Sequence, residues 1–291
     1  AREQEQCREQ GCSVITCFDS GYPDILREIY DPPVVLYAKG DTSLLRELSL
    51  AVVGSRRASA YGLEMSRTVA AELALRGITV TSGMARGIDG AAHRGVLEVG
   101  GKTIAVLGSG VDVIYPYENE RLYTRLKESG LLLSEFPLGT RPMRWNFPMR
   151  NRLISGLSRG VIVVEAAARS GSLITARFAL EQGRDVYSFP GNANRFGSEG
   201  TNNLIKNGAQ LVTGVDDIIE SLKLCGLLQQ ETSRARPNQP AVGHCTCDDA
   251  GSGEEKRLME LIGKRPRTYD ELITGTDFTQ ERLYALLTKL E

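Results

Sequence analysis

Short apolar runs alternate with longer helical stretches along most of this chain, and this alternation restricts the fold more than any other feature of the sequence. Six runs are continuous and rich in Val, Ile and Leu, as buried strands are. They span residues 50–53, 78–81, 103–107, 131–134, 161–165 and 186–189. Helical stretches lie between them at residues 63–75, 89–98, 119–127 and 151–157, with a fifth at 173–182. The pattern predicts an α/β fold with a mostly parallel sheet covered by helices on both faces.

Additional segments flank this pattern. A chain of 291 residues has room for one full domain and a second small one. We expect a core over residues 1–222, which starts with an N-terminal approach segment over 1–49 that holds a strand at 12–17 and a short helix at 44–48. Residues 223–253 are polar and rich in Gln, Pro, Asp and Gly, which predicts a flexible linker.

Residues 254–291 contain three short amphipathic helical patterns. Their spacing indicates a winged-helix-like domain, which we expect to be truncated because the sequence stops where a wing would begin. The would-be recognition helix has only Arg282 and Lys289 as bases, against Glu281 and Glu291. This near-neutral surface favours a protein-contact or vestigial role over DNA reading.

The loops that follow the predicted strands combine glycine with hydroxyl or arginine side chains. They span residues 54–57, 82–89, 108–110, 166–172 and 190–192. The carboxyl ends of parallel strands form the ligand crevice of such a sheet, and glycine lets backbone amides approach a phosphate. A strand-to-helix turn needs glycine for its own geometry, so one loop indicates little. Five at one predicted edge favour an anion site.

Positive charge is concentrated in residues 141–177, which hold seven arginines, no lysine and a single acid, Glu165. The local balance of +6 contrasts with a net charge of −1 for the whole chain. Because a buried strand is predicted inside this stretch, it belongs to a folded unit and is not a basic tail. Local arginine, and not overall charge, must supply any binding to nucleic acid.

Several enzyme classes lack their motifs here. Residues 54–62 have no P-loop lysine, and residues 108–110 are not followed by the third glycine of a dinucleotide-binding loop. We interpret His93 as a structural helix residue. Asp89 and Glu165 are the acids near the predicted edge of the sheet. Two interpretations of them stay open: acid–base catalysis, or structural roles in which Asp89 caps a helix and Glu165 pairs with an arginine. We predict a binding protein, not an enzyme, with no catalytic residue and no cofactor.

The apolar runs and the cysteines exclude two further classes. No run approaches the roughly 18 residues of a membrane span, and the polar N-terminus does not resemble a signal peptide, so we expect no membrane contact and a cytoplasmic protein. None of the six cysteines has the spacing of a zinc knuckle. We predict no metal, although His244, Cys245 and Cys247 leave a metal site open beside incidental reduced thiols.

Six motifs resemble those of the DprA (Smf) family of DNA-processing proteins, in the family's order and over about residues 12–222. They are VGSR at 53–56, SGMARGIDGAAH at 82–93, FPMRNRLISGLS at 147–158, SGSLITA at 170–176, PG at 190–191 and GTNNLI at 200–205. The resemblance implies an extended Rossmann-like core that forms a homodimer and binds single-stranded DNA in a basic pocket. It also implies that the protein protects incoming single strands and loads the RecA recombinase during natural transformation.

The alternative is a nucleotide-cleaving phosphoribohydrolase-like enzyme on a similar sheet. Such enzymes use a Pro-Gly-Gly-x-Gly-Thr loop followed by a glutamate, which residues 168–172 and 190–192 do not match.

The strand-end loops and the resemblance together predict the residues that contact DNA. Tyr117 stands where family members often have a lysine, and we expect it to stack on a base. For Arg150 and Arg152, pairing inside the fold, with Glu165 or with helix-end carbonyls, is the alternative to a phosphate contact. The predicted contacts are Gly54, Ser55, Arg56, Gly83, Arg86, Tyr117, Arg150, Asn151, Arg152, Ser170, Gly171, Ser172 and Asn202.

Overall fold

The computed structural model describes residues 2–227, where strands and helices alternate as predicted. The strands are β1 Ser13–Thr16, β2 Val35–Gly40, β3 Ser49–Val53, β4 Thr79–Ser82, β5 Thr103–Val106, β6 Leu131–Ser134, β7 Gly160–Val163, β8 Asp185–Ser188 and β9 Gln210–Leu211. The helices are α1 Arg2–Glu9, α2 Asp24–Arg27, α3 Ala60–Leu75, α4 Ile88–Glu98, α5 Glu120–Ser129, α6 Asn146–Gly156, α7 Ser172–Glu181, α8 Glu199–Lys206 and α9 Val215–Leu224. Short 3-10 turns lie at Thr42–Arg46, Tyr117–Asn119 and Phe196–Ser198.

The strands of this part of the chain join in one nine-stranded sheet, in the order β1-β2-β6-β5-β4-β3-β7-β8-β9. Every pairing from β6 to β9 is parallel, while β2 pairs antiparallel with β6 and with β1. The prediction of a mostly parallel α/β sheet is confirmed. The chain builds β4, β5 and β6 on one side of β3 and then returns to place β7 on its other side. Ligands of such sheets bind at the carboxyl ends of the strands where the winding reverses, which here are β3 and β7.

The apolar side chains of the central strands supply the cores on both faces of the sheet. In β3, Leu50 and Val52 pack into the core formed with α3, α4 and α9, whereas Ala51 and Val53 pack into the opposite core with α6 and α7. Alternate residues of a strand point to opposite faces, so a strand buried on both sides must be apolar throughout. This explains why the predicted strands are continuous apolar runs without alternation.

Three predicted boundaries are wrong, and the last two of them affect the site. The stretch at 44–48 is a 3-10 turn from Thr42, which starts where the Asp41 side chain accepts a hydrogen bond from Ser43 N at 3.0 Å. Helix α6 begins at Asn146 and not at residue 151, since Pro148 falls in its first turn, where a missing N–H costs no helical hydrogen bond. Strand β7 ends at Val163, so Glu165 lies in a loop.

Two other expectations concern the ends of the chain. The linker predicted at 223–253 begins too early, because α9 extends to Leu224 and Leu227 packs against the core. The rest of that linker, from residue 228 onward, and the winged-helix-like domain at 254–291 lie outside the described residues. Within residues 2–227, none of the helices combines the length and the apolar character needed to cross a bilayer.

Candidate nucleic-acid interface

A cavity of about 1460 Å³ opens at the carboxyl ends of β3 and β7. Its wall comes from the loop after β3, the loop after β7, the first half of α6 and the segment 190–198. Small-molecule pockets usually measure about 300 to 1,000 Å³. The larger volume here suits an extended ligand that occupies several neighbouring positions.

Six arginines line this cavity. One of them, Arg150, is buried, and the other five are exposed. Within residues 2–227, none of the exposed five forms an ion pair with a carboxylate. Their guanidinium groups are therefore available to a bound anion, with only Asp89 and Glu165 as acids in the same wall. The five are Arg56, Arg57, Arg144, Arg169 and Arg195.

Aromatic rings lie among these arginines. The guanidinium of Arg56 sits 4.9 Å from the centroid of the Phe147 ring, and Tyr115 meets the same ring with centroids 5.5 Å apart. Tyr61 and Phe196 line the cavity farther along and are 54% and 76% exposed. Exposed rings interspersed with arginine are the arrangement that proteins use to stack bases while they neutralise phosphates.

Arg150 supports the cavity from below. Its buried guanidinium donates hydrogen bonds to the carbonyl oxygens of Gly83, at 2.6 Å, and Val106, which end β4 and β5. A Cβ at position 83 would lie 2.6 Å from its Nη1, so only glycine fits there. Burial lowers the pKa of Arg150 to about 10, which still leaves it charged at neutral pH. Arg150 is therefore paired inside the fold, which was the alternative to a phosphate contact. Its partners are carbonyls at the ends of strands, and not Glu165 or helix-end carbonyls as predicted.

The two acids of the cavity are both engaged in ways that the sequence did not indicate. Asp89 is buried within the first turn of α4, whose N-cap position is Gly87, so it does not cap the helix. Burial raises the pKa of Asp89, and the nearby charge of Arg150 opposes that rise. Within residues 2–227, Glu165 does not pair with an arginine. Its carboxylate accepts hydrogen bonds from Ser59 at the start of α3.

Arg152 lies away from the cavity wall. Its guanidinium makes a two-pronged ion pair with Glu135, at 2.9 and 2.7 Å, and a further one with Asp31 at 3.0 Å. The side chains of Arg152 and Glu135 are each 11% exposed. Because α6 begins five residues earlier than predicted, Arg152 lies inside the helix, and its donors are used by these carboxylates.

The remaining predicted contacts fall into three groups. Six line the cavity: Gly54, Ser55, Asn151, Ser170, Gly171 and Ser172, together with Arg56 and Arg150 described above. Gly83 and Arg86 line a smaller adjoining cavity of about 220 Å³, where Arg86 forms an ion pair with Glu118. Tyr117 and Asn202 line neither cavity, and Tyr117 is 72% exposed.

Two asparagines fix loops of the site. Asn202 holds the loop after β8, because its amide accepts from Gly191 N at 3.1 Å and donates to Gly191 O at 3.0 Å. Asn151 accepts from Arg150 Nε at 3.2 Å and donates to Gly171 O at 3.4 Å, which joins α6 to the loop before α7. These amides position backbone that lines the cavity.

Sequence reasoning missed several cavity residues. Arg144 and Arg169 lie inside the arginine-rich stretch, and Arg57 directly follows Arg56, so their charge was visible while their exposure was not. Apart from Phe147, which opens the motif at 147–158, the aromatic residues carry no motif signal. They meet only because separate segments approach in the fold. The missed residues are Arg57, Tyr61, Tyr115, Arg144, Phe147, Arg169, Arg195 and Phe196.

Residues 2–227 bring together no group of three or more metal-ligating side chains. The alternative metal site of His244, Cys245 and Cys247 lies outside the described residues.

Comparisons with known proteins match the chain to one family. The family model of the DNA recombination-mediator protein A matches residues 13–223. The protein Smf of Escherichia coli is 53% identical over 203 residues, which cover 69% of this chain and 54% of that protein, so the match spans about half the length of this relative. The DNA processing protein DprA of Bacillus subtilis is 45% identical and covers 74% of this chain and 73% of its own.

Solved structures agree with this match. The DNA processing protein A of Streptococcus pneumoniae superimposes with a TM-score of 0.71 at 44% identity, covering 76% of this chain and 77% of its own. That of Helicobacter pylori, whose structure was described for its unique single-stranded DNA binding mode, has a TM-score of 0.67 at 33% identity, covering 74% of this chain and 96% of its own. With the motifs and the fold in agreement, the chain belongs to the DNA recombination-mediator protein A (DprA, Smf) family.

Proposed function

We propose that the cavity at β3 and β7 binds single-stranded DNA without sequence preference. The observation that carries the proposal is the set of five exposed arginines, unpaired within the described residues, around the rings of Tyr61, Tyr115, Phe147 and Phe196. Arginines neutralise the phosphates of a strand, and aromatic rings stack on its bases whatever their identity. The single-stranded DNA binding mode of the Helicobacter pylori relative supports this proposal.

Single strands are favoured over duplex because of the rings. A base can stack on a side chain only when its own face is free, and in a duplex both faces are covered by neighbouring base pairs. The arginines alone would accept either form. We therefore expect the aromatic residues to supply the preference and the arginines to supply most of the affinity.

Binding, and not turnover, is the proposed role of the site. Asp89 is buried against Arg150, and the Glu165 carboxylate is held by Ser59, so neither acid faces a ligand as a free acid or base. Nucleotide cleavage was the alternative, and no contact in the cavity favours it. Incubation with nucleoside monophosphates should release no free base, and release of base would contradict the proposal.

The family membership extends the proposal to partners and localisation. We propose that the protein acts in the cytoplasm as a homodimer, protects incoming single strands during natural transformation and loads RecA onto them. Sedimentation of the protein at micromolar concentration tests the dimer. RecA filament formation on strands precoated with a single-stranded-DNA-binding protein, with and without this protein, tests the loading.

The decisive experiment is a titration of single-stranded and duplex oligonucleotides of equal length across a range of salt concentrations. We expect at least tenfold tighter binding of the single strand. Arg56→Ala should reduce the slope of log affinity against log salt by about 0.7, the value for one phosphate contact on a single strand. Arg121→Ala is the matched control, because Arg121 is an exposed arginine of α5 that does not line the cavity. Equal affinity for both forms, or an Arg121→Ala slope change as large as that of Arg56→Ala, would contradict the proposal.

A further inference from the structure

Glu165 is one of two acids in the wall of the cavity that the six arginines line. Glu165 follows β7, and its carboxylate reaches the start of α3, where Oε1 accepts from Ser59 N at 3.0 Å and Oε2 from Ser59 Oγ at 2.5 Å. The backbone carbonyl of Glu165 accepts from Ser55 N at 2.7 Å. A single residue therefore holds both ends of the 55–59 loop, which carries Arg56 and Arg57.

Two other parts of the wall pass close to the carboxylate. A Cβ at Gly62 in the first turn of α3 would lie 2.4 Å from Oε2, so a side chain there would have to displace the carboxylate. A Cβ at Gly197 would lie 3.1 Å from Oε1, so the segment with Arg195 and Phe196 passes beside the same group. All three segments line the cavity.

Electrostatics alone does not explain why Glu165 lies in this site. A negative charge among the arginines repels the phosphates of a bound strand, so its removal should tighten binding. Its location explains how the charge is tolerated. The first N–H groups of a helix lack partners within the helix and favour an anion, and Ser59, the N-cap residue of α3, donates its N–H and its hydroxyl to Glu165.

We propose that Glu165 is a positioning residue for strand binding: it bonds the 55–59 loop at the start of α3 and lies beside the 195–197 segment, and so holds the arginines and rings that these segments carry in place before DNA arrives. The proposal rests on the proposed function, because it assigns Glu165 a role in that same cavity. Groups held in place before binding lose less conformational freedom when the ligand arrives.

The test compares three variants in the full chain. Glu165→Ala removes the carboxylate contacts to Ser59 together with the charge, and keeps the backbone carbonyl that accepts from Ser55 N. Glu165→Gln removes the charge but keeps an oxygen acceptor of the same length for Ser59. Glu199→Gln is the matched control, because Glu199 is an exposed acid next to the 195–198 segment that does not line the cavity.

We expect Glu165→Ala to bind single-stranded DNA about tenfold more weakly than the parent at every salt concentration, with an unchanged salt slope because no arginine is lost. Glu165→Gln and Glu199→Gln should bind within about threefold of the parent or more tightly. Without DNA, the amides of residues 55–62 and 195–198 should exchange hydrogen at least tenfold faster in Glu165→Ala. This measurement detects the loosening independently of strand binding. If the alanine variant does not fold, Glu165→Ser makes the same comparison.

The outcomes separate this inference from the proposed function. If the parent protein does not bind single strands, the proposed function is contradicted. The positioning role of Glu165 in strand binding is then contradicted too, whatever the exchange rates show. A parent that binds, together with a folded Glu165→Ala or Glu165→Ser that binds within threefold or more tightly, overturns the positioning role alone. Unchanged exchange at residues 55–62 and 195–198 overturns it as well.

Discussion

Arg144 and Arg152 lie eight residues apart in the same arginine-rich stretch, yet the structure uses them in opposite ways. Arg144 is exposed in the cavity wall, with no ion pair to any carboxylate of residues 2–227. Arg152 is held by Glu135 and Asp31. Burial and pairing, and not position within a motif, decide which arginine can meet a phosphate. A count of arginines therefore overstates the number of contacts with DNA.

The largest effect on stability should come from removing Arg152, the paired arginine of the two. Arg152→Ala leaves Glu135 as an uncompensated, nearly buried charge, and we expect a loss of about 3 to 5 kcal/mol in the free energy of unfolding. Chemical denaturation measures this loss. At a temperature where the variant is still folded, its affinity for single strands and its salt slope should equal those of the parent.

The double variant Arg152→Met, Glu135→Leu provides the control, since removing both partners costs less than removing one. A stable Arg152→Ala with a reduced salt slope would instead return Arg152 to the set of DNA contacts.

The next effect concerns a histidine of α4 that is buried in the core. His93 is fully buried; burial, helped by Arg94 and Arg150, lowers its pKa from 6.5 to about 3. Between pH 6.5 and about 3, the imidazole therefore binds a proton in the unfolded chain but not in the folded chain. The free energy of unfolding consequently falls as the pH drops below 6.5. Between pH 6.5 and 4.5 we expect a loss of about 2 kcal/mol.

Denaturation curves at several pH values check this expectation, with His93→Gln as the comparison. The variant keeps a donor for Thr103 Oγ1, which lies 2.7 Å from His93 Nδ1, and should lose much less stability over the same range. An equal pH dependence in both proteins would show that other groups are responsible.

A smaller effect is expected at Asn202, which contacts the cavity only through the Gly191 loop. Asn202→Ala removes two hydrogen bonds to Gly191, at a net cost of about 1 kcal/mol each in the free energy of unfolding. Because no charge is lost, the salt slope for single strands should not change. A reduced slope with unchanged stability would place Asn202 among the residues that touch DNA.

The sequence predicted the fold better than the site, for physical reasons. A strand such as β3 is buried on both faces, so its composition alone identifies it. The five post-strand loops reach one edge because the strands are parallel, and this placed Gly54, Arg56 and Ser170 correctly in one wall. The partners of Arg150 and Glu165 come from distant segments, 67 and 106 residues away in the chain, and no local pattern records them.

The change that should perturb the fold least is at Arg144, the exposed arginine of the two. Arg144→Ala removes a side chain that makes no ion pair to a carboxylate within residues 2–227, so the melting temperature should stay that of the parent. If its guanidinium meets one phosphate, the slope of log affinity against log salt should fall by about 0.7, equally for strands of different sequence. Binding of oligonucleotides of two unrelated sequences across salt measures both quantities. Arg144 then differs from Arg152 in both readouts, because each arginine changes one quantity and leaves the other alone. If Arg144→Ala keeps the full salt slope, Arg144 does not belong to the interface. Exposure of an arginine side chain in the cavity wall would then not be enough to identify a DNA contact.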